Sequence, residues 1–281
     1  MPLEKVSECV RVVSDLWGYP VKVGSTVGTS HHYFSGTDEE RLADLQSMLD
    51  DPSIRAILFG RGGYGLGRII DRLDFRKFRK DPKWLIGFSD ITVIHSHVFS
   101  RYGIATLHAP MANAFNAGGY KGPYVRSLHD ALKGKKALYK KTKHPFDLKG
   151  KAKGQLVGGN LALLAHLCGT RSDIDTRGRI LFIEDVGEYL YNVDRMMYQL
   201  KRSGKFDGLA GLILGGFTEM KDTTQPFGQD VWSLLRDIVA AYEFPVCYDF
   251  PVSHDKRNYA LKVGGTYTLE VGPRNTTLRE H

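Results

Sequence analysis

With 281 residues, 42% of them hydrophobic, the chain is long enough for one large domain or two small ones around a real core. No apolar run is long enough to span a bilayer and no signal-peptide pattern is present, so no membrane partner is expected. The formal net charge of +8 invites a nucleic-acid partner, but much of the excess sits between Lys133 and Lys153, a Lys- and Gly-rich stretch without the arginines of such a site. No nucleic acid is therefore expected, and a general basic field would instead favour an anionic peptide.

In chain order, Leu3 to Leu16 reads as a helix and Val21 to Val23 as a short strand. Thr37-x-x-Glu40 is a capping box, and Leu42, Leu45 and Leu49 form the apolar stripe of the helix beyond it. Strand-like runs at 54–59, 84–86 and 104–107 alternate with helices, a βα pattern that predicts a mainly parallel sheet. The Lys-rich stretch is the natural linker. After it come a strand near 155–158, a helix from Asn160, a strand at 180–184, a long helix at 189–203, a strand at 211–215 and a helix at 229–242. Strands at 246–249, 261–263 and 266–270 close the chain. The predicted fold class is two-domain α/β, divided as 1–132, a linker at 133–153, and 154–281.

Two stretches carry chemistry. The apolar run Trp84-Leu85-Ile86 ends in Gly87, Ser89 follows two residues later, and a helical run begins at Ile91. A serine on a sharp strand-to-helix turn is exposed beside free helix-terminal N–H groups, which are the needs of a nucleophile with an oxyanion site. Ser89 or Asp90 as a plain N-cap is the competing reading. The second stretch, Phe59-Gly60-Arg61-Gly62-Gly63-Tyr64-Gly65-Leu66-Gly67-Arg68, lets backbone approach a ligand closely. It lacks the Gly-Lys-Ser/Thr ending of a nucleotide phosphate loop and the distal acid of a dinucleotide fingerprint. It is either a tight turn or the source of a second oxyanion donor.

Taken together, these motifs resemble the bacterial LD-carboxypeptidase family of serine peptidases over most of the chain. Phe34 to Arg41 resembles the segment ahead of the family's second helix, Arg61 to Gly65 its glycine loop, and Gly87 to Thr92 its nucleophile turn. Gly158-Gly159-Asn160-Leu161 opens its second domain, Leu181 to Glu188 followed by Asp194-Arg195-Met196 carries its acid, and His254 falls where the family has its histidine. The resemblance implies a flavodoxin- or Rossmann-like N-terminal sheet, a C-terminal α/β domain, a homodimer and no cofactor. It implies Ser89 as nucleophile, His254 as general base and Glu184 as orienting acid. Amides of Asp90 and Gly63 would hold the oxyanion, and Arg61 and Asn160 are candidates for substrate contact. The implied substrate is a murein tetrapeptide cut at the L,D bond before its terminal D-alanine. A microcin-immunity-type hydrolase of peptidyl-adenylates is the alternative, and a catalytically dead ligand-binding domain the non-enzyme one.

Rivals exist for each role. Asp185 and Glu188 flank Glu184. His95 and His97 read as structural groups on the helix after Ser89, and His108, opening His-Ala-Pro, as a turn residue. His31-His32 lacks further ligands at suitable spacing, so no metal is expected. Cys9, Cys168 and Cys247 sit among apolar residues and read as free thiols of a reducing, cytoplasmic compartment. The family normally opens with a strand ending in alanine-proline-serine, whereas this sequence starts at the first helix. A missing central strand is expected to expose sheet edges.

Overall fold

The computed structural model describes residues 2–281. Helix α1 (Glu4–Arg11) runs on through a π-helical turn at Val12–Leu16. Thr37 caps α2 (Asp38–Asp50) with the reciprocal Thr37–Glu40 bonds that the sequence predicts, and α2 buries Leu45 and Leu49. Then follow β1 (Ala56–Leu58), α3 (Arg76–Lys80), β2 (Trp84–Gly87), α4 (Thr92–Tyr102), β3 (Thr106–His108) and α5 (Pro123–Leu132). The C-terminal half contains β4 (Leu138–Thr142), β5 (Gly150–Asn160), α6 (Leu161–Leu167), β6 (Ile180–Val186), α7 (Leu190–Arg202), β7 (Gly211–Thr218) and α8 (Val231–Val239). It closes with β8 (Val246–Cys247), β9 (Leu261–Val263), β10 (Thr266–Val271) and β11 (Asn275–Glu280).

The strands form two sheets. One has the order β1-β2-β3-β9, parallel except for β9, which returns from the C-terminal part of the chain and pairs antiparallel with β3. The other has the order β4-β11-β10-β5-β6-β7-β8, with parallel pairing from β5 to β8 and antiparallel pairing on the other side. The near-continuous apolar runs of β6 and β7 are what a parallel strand covered on both faces needs. One face packs on α7 and α8 through Ile183, Leu214, Val193 and Leu235; the other packs Phe182 and Ile213 against Leu261, Val263 and Tyr267. Side chains of β9 thus join the core of the larger sheet while its backbone pairs with the smaller one.

Three local expectations differ from the structure. Val21 to Val23 is not a strand: both valines are exposed and the segment pairs with no neighbour, so its β-branched composition has no ladder to join. Part of the Lys-rich stretch is strand, because Tyr139 and Lys141 of β4 face inward and alternate with exposed neighbours. Lys141 reaches the Tyr248 carbonyl, and exposed Lys140 lies on the same edge strand, where charge discourages further pairing. Strand β11, rich in Asn and Thr, lies beyond the last strand that the sequence predicts.

Candidate active site

Strand β2 ends at Gly87, where a Cβ would meet Ile91 Cγ1 at 2.8 Å, so the chain folds back tightly at once. Phe88 is extended, and Ser89 has φ +65°. A left-handed conformation is uncommon for a residue with a Cβ and stores strain. A 3₁₀ turn at Ser89–Ile91 then leads into α4, whose residues Thr92 to Phe99 are all buried. The serine is thereby held half-buried above the C-terminal edge of the small sheet.

Asp90 does not cap α4. Its buried carboxylate Oδ2 accepts the Leu66 amide at 2.9 Å, tying the glycine loop to the Ser89 turn. Burial raises its pKa, and the loop amides of Leu66 and Gly65 oppose that rise. Gly62 is the glycine pressed against the serine: a Cβ there would lie 2.7 Å from Ser89 Cβ and 3.0 Å from Oγ. Gly63 follows with φ +99° and faces open space. A cavity of about 430 Å³ opens beside the loop, with Arg61, Gly62, Gly63 and Asp90 in its wall, and Arg61 is exposed.

The acid and the histidine come from the larger sheet. Glu184 lies in β6 and is fully buried; its Oε2 accepts His254 Nδ1–H at 2.6 Å. The loop carrying His254 crosses β7 where side chains are absent. A Cβ at Gly215 would strike the Val252 carbonyl and one at Gly216 would lie 2.5 Å from Ser253 Cβ. Burial alone would lower the pKa of His254, but the hydrogen bond and charge of Glu184, with Asp185 and Glu219 behind it, raise it overall. The ring of Phe88, next to Ser89, stands edge-on to His254 with centroids 4.9 Å apart. Among the described residues, no hydrogen bond joins Ser89 Oγ to His254.

A half-buried serine on a strained turn beside a glycine loop, and a histidine, oriented by a buried carboxylate, that reaches the serine turn through the ring of Phe88, are the side-chain types that nucleophilic acyl transfer uses. The LD-carboxypeptidase N-terminal domain family matches residues 2–109, and the LD-carboxypeptidase C-terminal domain family matches residues 153–269. The chain belongs to the LD-carboxypeptidase family. It is 34% identical over 270 residues to a probable murein peptide carboxypeptidase of Bacillus subtilis (strain 168), covering 93% of this chain and 83% of that one. It is 32% identical over 265 residues to a murein tetrapeptide carboxypeptidase of Pseudomonas aeruginosa, covering 91% and 85%. It superimposes with a TM-score of 0.88 on the crystal structure of a muramoyltetrapeptide carboxypeptidase from Oxalobacter formigenes. That match has 30% identity and covers 100% of this chain and 95% of the other.

The remaining polar groups of this LD-carboxypeptidase sort by partner. Asp185 turns away from His254: its Oδ1 accepts Asn160 Nδ2 at 2.8 Å, and its Oδ2 accepts the Ala162 amide at 3.1 Å. Burial and the neighbouring Glu184 charge push its pKa up to about 7. Asn160 is buried, and its Oδ1 caps α6 through the Leu163 amide, so both ends of its side chain are used within the fold. Glu188 accepts from Asn192 Nδ2 at 3.1 Å. His95 is fully buried between Thr106 Oγ1 and the Gly87 carbonyl, and burial lowers its pKa to about 4, so it holds the turn as a neutral group. His97 bonds Ser172 Oγ at 2.9 Å. His108 is not a turn residue but the buried last residue of β3, with Nε2 3.2 Å from Asn258 Oδ1. Sequence reasoning missed that bond and the Asp90–Leu66 bond, since both join residues distant along the chain and neither side chain belongs to a local pattern.

Proposed function

We propose that this enzyme hydrolyses the L,D peptide bond before the terminal D-alanine of murein tetrapeptides through a Ser89–His254–Glu184 triad. The observation that carries the reading is the 2.6 Å bond from His254 Nδ1–H to the fully buried Glu184, with the His254 ring packed on Phe88, the neighbour of a serine held at positive φ. Ser89 Oγ attacks the scissile carbonyl while His254 Nε2 takes its proton, and Glu184 holds the imidazole in the tautomer this needs. The amides of Asp90 and Gly63 receive the oxyanion. His254 then protonates the leaving amine of D-alanine, and water attacks the acyl-enzyme by the same route. The gap between Ser89 and His254 closes when substrate fills the cleft between the 1–132 and 154–281 parts.

Exposed Arg61, on the loop next to Gly62, is positioned to meet a carboxylate of the peptide. Asn160 acts through its hold on Asp185 and α6 rather than by touching substrate. The working form is a homodimer in the cytoplasm. Three free cysteines suit a reducing compartment, and no helix among the described residues is long and apolar enough to cross a membrane.

The test is incubation of the purified protein and its Ser89→Ala variant with tetrapeptide and, separately, with a peptidyl-adenylate. Release of D-alanine by the wild type, lost on the order of 10⁶-fold in the variant, is the expected result. Release of aminoacyl nucleotide without D-alanine would assign the enzyme to the other substrate class. Activity above about a hundredth of wild type in Ser89→Ala would remove the serine from the mechanism.

A further inference from the structure

The imidazole of His108 is fully buried at the end of β3, a place where an apolar side chain would pack without the cost of desolvation. Its surroundings link the two halves of the site. In the β2–β3 register His108 stands opposite Gly87, two residues before Ser89. Its Nε2 meets Oδ1 of Asn258, a buried residue in the loop that carries His254. An amide oxygen only accepts, so Nε2 carries the proton and His108 is the donor. Burial and the nearby His95 and His254 keep this imidazole neutral, which preserves that assignment. The ring of Phe88 lies between the two histidines, 5.7 Å from His108 and 4.9 Å from His254. The His254 loop has other anchors, including Arg257, whose guanidinium forks onto Asp249 with two 3.0 Å bonds. That fork holds it to its own half of the molecule, while at the end of the loop the Ala260 amide donates to Ser127 Oγ of α5 and Leu261 of β9 pairs with His108. The His108–Asn258 bond ties it to the strand layer that presents the nucleophile.

We infer that His108 is a positioning residue for the hydrolysis: through Asn258 it sets the height of the His254 loop over the end of β2, and so the reach of His254 to Ser89. The inference rests on the triad reading. His108 takes no part in proton transfer, since its own titration is suppressed and its bonded nitrogen points at an amide. A displacement of the base by a fraction of a bond length slows attack without changing the surfaces that bind the peptide, so kcat falls and KM holds.

The experiment measures kcat and KM for D-alanine release, and the rate of Ser89 labelling by a small fluorophosphonate, well below the melting temperature of every variant used. His108→Leu should slow both kcat and labelling by about tenfold to a hundredfold at unchanged KM. Asn258→Ala, which leaves β3 intact, should do the same and serves alone if His108→Leu does not fold. The double variant should be no slower than the slower single one, because both remove one link. His108→Gln, whose amide can still donate to Asn258, should recover most of the rate. Wild-type labelling in the folded His108→Leu or Asn258→Ala protein, whatever happens to the melting temperature, overturns the positioning role alone. Wild-type labelling in His254→Ala overturns the triad, and the positioning role with it.

Discussion

Glu184 and His254 stand 70 residues apart in the chain, yet Oε2 and Nδ1 are 2.6 Å apart, and the carboxylate is fully buried while the histidine side chain is 16% exposed. The carboxylate is sealed into the sheet, and the imidazole is the partly exposed member of the pair. The acid's other oxygen, Oε1, has no partner among the described residues, so its hydrogen bonding within the protein is concentrated on His254.

Replacing Glu184 by Gln should therefore lower kcat by about 10²–10⁴, through the wrong tautomer of His254 rather than through loss of substrate binding. Glu188→Gln should do far less, because Glu188 bonds Asn192 instead. Steady-state assay of D-alanine release ranks the two, and the reverse order would transfer the orienting role to Glu188.

The pairing also sets a pH dependence of known sign. His254 has a raised pKa, so the protonated pair adds to stability fully below the imidazole's ordinary value of about 6.5. That contribution fades as pH rises through the raised value. Activity runs the opposite way, since the base must be neutral to accept a proton. The acidic limb of kcat/KM should lie above about 6.5 and shift to lower pH in Glu184→Gln. A wild-type limb at or below that value would show that another group is titrating.

Asp90 should matter as a strut as well as a backbone donor. Asp90→Ala leaves the Leu66 amide without its partner in a buried place, which should cost about 1–3 kcal/mol of stability and free the glycine loop to move. Denaturant midpoints give the first quantity, and hydrogen exchange at the Leu66 amide gives the second. Unchanged protection of that amide would mean that the loop is held by something else.

Gly62 and Gly63 should respond differently to alanine. At Gly62 the added methyl would sit 2.7 Å from Ser89 Cβ and push the nucleophile aside, so fluorophosphonate labelling should fall steeply in a protein that still folds. At Gly63 the methyl meets nothing, and the cost is the backbone strain of φ +99°. Gly63→Ala should lose stability first and labelling second. Equal labelling in the two variants would argue against close packing of Gly62 on the serine.

Much of this arrangement was legible in the sequence, for physical reasons that differ by element. Strands β2, β6 and β7 announce themselves because parallel strands covered on both faces must be apolar throughout. The α2 capping box is a purely local device, and the local sequence is enough to find it. Strands β4 and β11 lie next to each other at the sheet edge, where Lys, Asn and Thr suffice, so their composition carries little signal. Val21 and Val23 fail the opposite way: they look like a strand but have no neighbouring strand to pair with. The return of β9 to the first sheet and the His108–Asn258 bond, between residues 150 apart, depend on how the two sheets pack, which no local pattern encodes.

The positive φ of Ser89 sets the fold's interest against that of the chemistry. Glycine would take the same backbone shape without the Cβ penalty, which is on the order of 1 kcal/mol. Ser89→Gly should accordingly raise the melting temperature of a protein that can no longer form an acyl-enzyme. Random mutation screened for thermal tolerance alone would drift toward loss of the nucleophile, so any stabilised descendant of this chain has to be selected on turnover at the same time.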